Sequence, residues 1–195
     1  MTRLPMLVPA DLDDQQRALY DAIAGGPRAA GPRLFALTDA AGRLNGPFNA
    51  MLFAPEVGTA LQELGAAIRY RSSLTARIRE MAILAVAAHW DSAFERYAHE
   101  AVGRAAGLTK EEMRSLRDGD QPRLDDPAEQ MALDVVRALL ADGDVADPPF
   151  QRAVSLIGNQ AVVELTSLVG YYATLALQLR VFRVGLPAEF PGESA

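Results

Sequence analysis

The stretch Arg79–Gly107, REMAILAVAAHWDSAFERYAHEAVGRAAG, decides how this chain reads. Its first arm belongs to a run from Leu74 to about His89. There Ile78, Met81, Ala82, Ala85 and Val86 recur at the spacing of one helix face. The run breaks at Asp91–Ser92 and resumes as a second helical segment to about Arg104, with Gly107 as its stop. A break between two helical runs predicts a hairpin. Ionisable residues lie inside it: Glu80 in the first arm, Glu95 and His99 in the second. Such groups are costly to bury unless paired, so any chemistry is expected here. The chain has 2 histidines, and the other, His89, lies in the same stretch.

Glu95 and His99 stand one helical turn apart, which puts them on one face. A carboxylate beside an imidazole raises its pKa and orients the ring, as a proton shuttle requires. A structural reading competes. Ser92-Ala-Phe-Glu95 has the pattern of a capping box, which would occupy Glu95 at the helix start. Glu80 falls beside Arg77 or Leu84 on the helical wheel, and a salt bridge to Arg77 or Arg79 would equally explain it. The cluster Arg69, Arg71, Arg77 and Arg79 is suited to holding a carboxylate in bidentate fashion. Arg71 and Arg77, with Trp90 and Ser92 at the break, are the candidate substrate-binding residues. Glu164, on an apolar helix, needs a structural partner, expected to be an Arg or a Tyr. Tyr171 and Tyr172 line a pocket or an interface in this reading.

Outward from the hairpin, 195 residues suit a single domain, 1–195, with residues 1–45 as an N-terminal helix and a Gly/Pro-rich loop. Half the chain is hydrophobic and only 7% aromatic, which favours close-packed helices. A net charge of −6 argues against a nucleic-acid partner. The chain has no cysteine, which excludes disulfides, thiolate metal sites and thiol redox catalysis. HExxH is absent too, and no metal or cofactor is expected. The first residues lack the apolar core of a signal peptide, so the expected location is cytoplasmic. The apolar run Ala161–Leu179 approaches membrane-spanning length, but Glu164, Gln178 and Arg180 mark it as a core or interface helix.

Helix signals recur along the chain. One helix starts near Pro9–Asp13 and ends by Gly25–Gly26. A long loop over residues 25–47 follows, with an apolar segment at Leu34–Leu37. Short and long helices follow at Phe48–Phe53 and from Pro55 to Arg69–Tyr70. Thr109-Lys-Glu-Glu112 is a capping box opening a helix to Leu116. Further helices are expected at Ala128–Asp142, near Phe150–Leu156, and from Asn159 to Arg180. No strand is expected.

Glu80, Ser92, Glu95 and His99, at offsets of twelve, fifteen and nineteen from the first, carry a family resemblance. With Arg77–Glu80, Gly107–Thr109 and the following EEMRSL, the pattern resembles the carboxymuconolactone decarboxylase and alkylhydroperoxidase D superfamily over residues 45 to 120. Ser92 and Glu95 stand where its peroxidatic branch carries two cysteines. The resemblance implies an all-α, compact alkylhydroperoxidase D-like domain with a helical-hairpin core, assembling as a homo-oligomer. It implies catalytic roles for His99, Glu80 and Glu95, with Glu80 in a proton relay to the histidine. The expected function is a cofactor-free lyase or isomerase doing acid/base chemistry on a small carboxylated or lactone-like substrate. A non-catalytic binding or assembly protein of the same fold is the alternative. An alkylhydroperoxidase activity is disfavoured, because serine and glutamate cannot form the disulfide that turnover requires.

Overall fold

Apolar side chains on nearly every face of Ile78–Ala87 drive that segment into the interior, and the other helices are laid around it. The computed structural model describes residues 2–26 and 34–187. Among them are the helices α1 (Asp14–Ala24), α2 (Pro47–Met51), α3 (Pro55–Tyr70) and α4 (Ala76–His89). They continue as α5 (Ala93–Ala105), α6 (Lys110–Asp118), α7 (Pro127–Asp142) and α8 (Asp147–Val181). No strand occurs among the described residues; Thr38 and Leu44 form an isolated bridge. The central helix α4 packs against α5, α6, α7 and α8.

The turn after α4 explains the hairpin. Ser92 N–H donates to the Ala87 carbonyl at 2.8 Å and Asp91 N–H to that of Ala88 at 3.1 Å. This is a Schellman end, and Asp91 takes its left-handed position at φ 48°. The chain therefore doubles back. Glu80 lies ten residues before Trp90 and His99 nine after it, so equal rises along two antiparallel helices bring them level.

Some boundaries differ from the sequence reading. The segment Pro9–Asp11 is a separate 3-10 turn, and α1 begins after Asp13, whose capping box with Gln16 sets the start. Helix α4 begins at Ala76 because Thr75 caps it, its hydroxyl accepting from Ile78 N–H. The box at Thr109 and Glu112 forms as expected. The box at Ser92 and Glu95 does not form: Ser92 makes no side-chain cap bond, and Glu95 is turned inward and only 2% exposed. Part of the Gly/Pro-rich loop, residues 27–33, lies outside the described residues.

Helix α8 has the length and composition of a membrane span, with 44% of its most apolar window buried. It packs against α2, α3, α4 and α7, the placement of a core helix. Gly158 breaks it at φ 82°, a conformation few residues but glycine adopt, which divides the two helices expected there. Among the described residues, Glu164 finds neither an arginine nor a tyrosine. Its carboxylate accepts from Ser73 N–H and hydroxyl, at 2.7 to 3.1 Å, and ties α8 to the turn before α4.

Candidate functional site

Glu80 is fully buried, a position an ionised carboxylate holds only with partners. It has three. His99 Nδ1–H donates to Oε2 at 2.7 Å, Arg79 Nε stands 3.5 Å from Oε1, and the Arg69 guanidinium lies nearby. Burial pushes the carboxyl up, but His99, Arg69 and Arg79 together hold it below the usual carboxylate range. Glu80 is thus ionised and can only accept, which fixes the proton on Nδ1 of His99 and leaves Nε2 with its lone pair. For His99 itself, burial wins. Its pKa lies below the ordinary histidine value despite the carboxylate, since the Arg69 and Arg79 charges also oppose protonation. The histidine is a neutral base near pH 7, whereas pairing with a carboxylate alone would have raised it.

Helical spacing pairs His99 with Glu95, whereas the family resemblance implies a relay from Glu80 to His99. In the structure its carboxylate is Glu80, and Glu95 makes no bond to His99; the Ser92 hydroxyl is its polar neighbour. Both Glu95 oxygens are buried without a hydrogen-bond partner. Burial pushes its carboxyl up to about 8, offset only in part by the neighbouring Ser92 hydroxyl. Glu95 therefore carries a proton at neutral pH and can give it away.

Glu95 and His99 line one cavity. Its polar wall adds Arg69 and Tyr172, and its apolar wall includes Phe35, Phe48, Phe94 and Leu175. Glu80 stands behind His99, away from the lining. The Tyr172 ring meets His99 edge-on, at 5.2 Å between centroids and 89° between planes, and fixes the plane of the imidazole. The cavity is partly open, and its volume is about 30 Å³, room for a water or two. Phe35 forms one wall, and its segment is held by Tyr97 OH, which accepts from Ala36 N–H at 3.2 Å, and by Asn45 Nδ2, which donates to the Ala36 carbonyl at 3.0 Å. Gly46 lets the chain turn from this segment into α2 at φ 62°, and a Cβ there would stand 2.2 Å from the Phe94 ring.

The candidate substrate-binding residues fall elsewhere. Arg77 Nε donates to Glu129 Oε1 and its Nη2 to Glu112 Oε1, both at 2.7 Å, which makes it a clasp between α4, α6 and α7. Arg71 is exposed at the end of α3. Trp90 packs at the edge of the core with its carbonyl accepting from Arg180. Ser92 is buried beside Glu95 without lining this cavity. Among the described residues, the arginine that reaches the cavity is Arg69. A stripe on α3 gave the signal: Gly58, Gln62, Gly65 and Arg69 recur at helical spacing, and the first three are buried. Tyr172 follows Leu165 and Leu168 in the buried stripe of α8. Because Arg77 is structural, Arg77→Ala should cost about 2 kcal/mol of stability through its lost charge-assisted bonds. Urea unfolding measures the loss, and the cavity's chemistry should be unaffected.

Residues 55–138 match the model of the carboxymuconolactone decarboxylase family. No curated protein matches in sequence. Among solved structures, an uncharacterized peroxidase-related protein from Ralstonia eutropha JMP134 with an alkylhydroperoxidase AhpD core superposes at TM-score 0.73. It is 16% identical, over 96% of this chain and 93% of that one. An uncharacterized peroxidase-related protein from Silicibacter sp. TM1040 does so at 0.74, with 15% identity over 98% and 94%. The debrominase Bmp8 follows at 0.69, with 12% identity over 94% and 91%. At these identities the structures report a shared fold.

Proposed function

We infer, from the match of residues 55–138 to the carboxymuconolactone decarboxylase family model and from the alkylhydroperoxidase D-like fold, a cofactor-free lyase or isomerase that moves protons on a small carboxylated or lactone-like substrate. One observation carries the reading. Two titratable groups line one cavity, and their surroundings push them to opposite tasks: His99 is left neutral to accept a proton, Glu95 protonated to donate one. Glu80 holds the imidazole in its working tautomer and stabilises the imidazolium that forms. Arg69 supplies a cation for an anionic substrate. A thiol peroxidase cycle lacks its atoms, since the chain has no cysteine.

The test is deuterium incorporation from D₂O into a panel of small unsaturated carboxylic acids and lactones, followed by NMR. The rate should be bell-shaped in pH. It rises as His99 loses its proton, below the ordinary histidine range, and falls as Glu95 loses its own near 8. A panel that neither exchanges nor converts would instead support a binding protein of the same fold.

We also propose self-association in the cytoplasm. Helix α8 leaves Leu156, Val163 and Leu177 between 44% and 65% exposed, apolar surface that a second copy would cover. Sedimentation at micromolar concentration should show a dimer or larger species; a monomer of 21.0 kDa would count against it.

A further inference from the structure

We propose that Arg69 is a catalytic residue: its guanidinium receives the oxygen that turns negative when His99 takes a proton from the carbon beside a carbonyl, and the Tyr172 hydroxyl positions that guanidinium. The proposal rests on the acid/base reading above and supplies a component that it needs. An enolate formed against largely apolar walls is unstable unless a fixed cation or donor meets its charge.

Among the described residues, Arg69 is the cation that lines the cavity. Its neighbours on α4 are already committed, Arg77 to Glu112 and Glu129, Arg79 to Glu80. Arg69 adds to the positive field around Glu80 but makes no ion pair within 4 Å among the described residues, and its Nε is buried with no acceptor. A buried guanidinium N–H without an acceptor costs free energy, and the site recovers it when an anionic oxygen arrives. The arginine is held on two sides. The Tyr70 ring lies 5.8 Å from its central carbon, and the Tyr172 hydroxyl lies beside it. Burial pushes the Tyr172 hydroxyl well above its usual range, so it keeps its proton.

Tyr172 also links the base to the cation. Its ring edge contacts His99 and its hydroxyl reaches Arg69, so one side chain sets the position of both. A substrate lying along that ring would place its acidic C–H at Nε2 and its carbonyl oxygen at Arg69. Nε2 takes the proton, the C–H electron pair becomes the new C=C bond, and the carbonyl oxygen takes the negative charge against Arg69. In a β,γ-unsaturated carbonyl substrate this anion is a dienolate: Glu95 delivers its proton to the γ carbon, the double bond moves to the α,β position as the carbonyl re-forms, and the proton on His99 returns to Glu95. The net change is an isomerisation with no co-reactant.

The probe is 4-nitrophenol, whose phenolate oxygen imitates the enolate and whose visible absorbance reports ionisation. The wild-type protein should bind it as phenolate at a pH where the free phenol is mostly neutral. Arg69→Gln should lose the phenolate band and bind at least about tenfold more weakly, a change of about 1.4 kcal/mol. Arg69→Lys should restore part of the band. Tyr172→Phe, which keeps the ring against His99, should weaken the band while the His99 NMR titration stays in place. His99→Gln should keep the band, which separates this proposal from the acid/base reading: a lost exchange activity with an intact band faults the base and not Arg69. Failure of the wild type to bind 4-nitrophenol as phenolate, or an unchanged band in Arg69→Gln, overturns the proposal.

Discussion

His99→Gln is expected to slow deuterium exchange about 10²–10⁴-fold, the contribution of a positioned general base. Glutamine is chosen with Glu80 in mind. The Glu80 carboxylate is 0% exposed and depends on the 2.7 Å bond from His99. Alanine at 99 would strip a buried charge of that partner at a cost of about 3–5 kcal/mol, and lost activity would then be confounded with lost fold. A glutamine amide still donates to Glu80 but offers no basic nitrogen to the cavity. Glu80→Gln should also slow exchange. Its amide can present N–H to Nδ1, force the proton onto Nε2 and abolish the lone pair that does the work. Rates on the pH plateau, with circular dichroism to confirm folding, decide it. Full exchange activity in His99→Gln would make His99 a structural residue.

Glu95→Gln is expected to stabilise the protein while removing its proton donor. The Glu95 carboxyl titrates at about 8 when folded, against 4.5 for an unperturbed glutamate. Between those values the folded chain holds a proton that the unfolded chain has released. Its contribution to stability is therefore complete below pH 4.5 and is lost as pH rises toward about 8. The slope is about 1.4 kcal/mol per pH unit, so wild type should lose about 3 kcal/mol from this group between pH 4.5 and 7. Glutamine does not titrate. The stability gap between variant and wild type should widen by about that amount over the window, as read from urea midpoints at several pH values. A gap that stays constant with pH would mean that Glu95 is ionised in the folded protein and is no acid. The predicted exchange of stability for activity is common where a strained group serves function.

Local chemistry carried much of this fold. Periodicity over Ile78–Val86, the Thr109–Glu112 box and the helix start at Asn159 located helices and breaks, because each acts within a turn or two of its own position. The offset of nineteen between Glu80 and His99 encoded their meeting, since a hairpin folded near its midpoint aligns residues equally far from the turn. Partner choice lay beyond that reach. Glu95 sits one turn from His99 in the chain, yet the bond went to Glu80 across the hairpin, because α4 and α5 face each other through that contact. The Ser92 box matched its pattern and failed to form because the packing of α5 turned Glu95 inward. Of four nearby arginines, composition could not say which reached the cavity. Arg77 found Glu112 and Glu129 on helices far along the chain, and only the face of α3 against α8 brought Arg69 to Tyr172. The sequence by itself determined the helices, the hairpin and the ionisable residues it carries, through interactions that span a few residues. The tertiary structure alone decided which carboxylate is charged, which holds a proton and which cation faces the cavity, because burial and through-space charge depend on neighbours the chain order does not reveal.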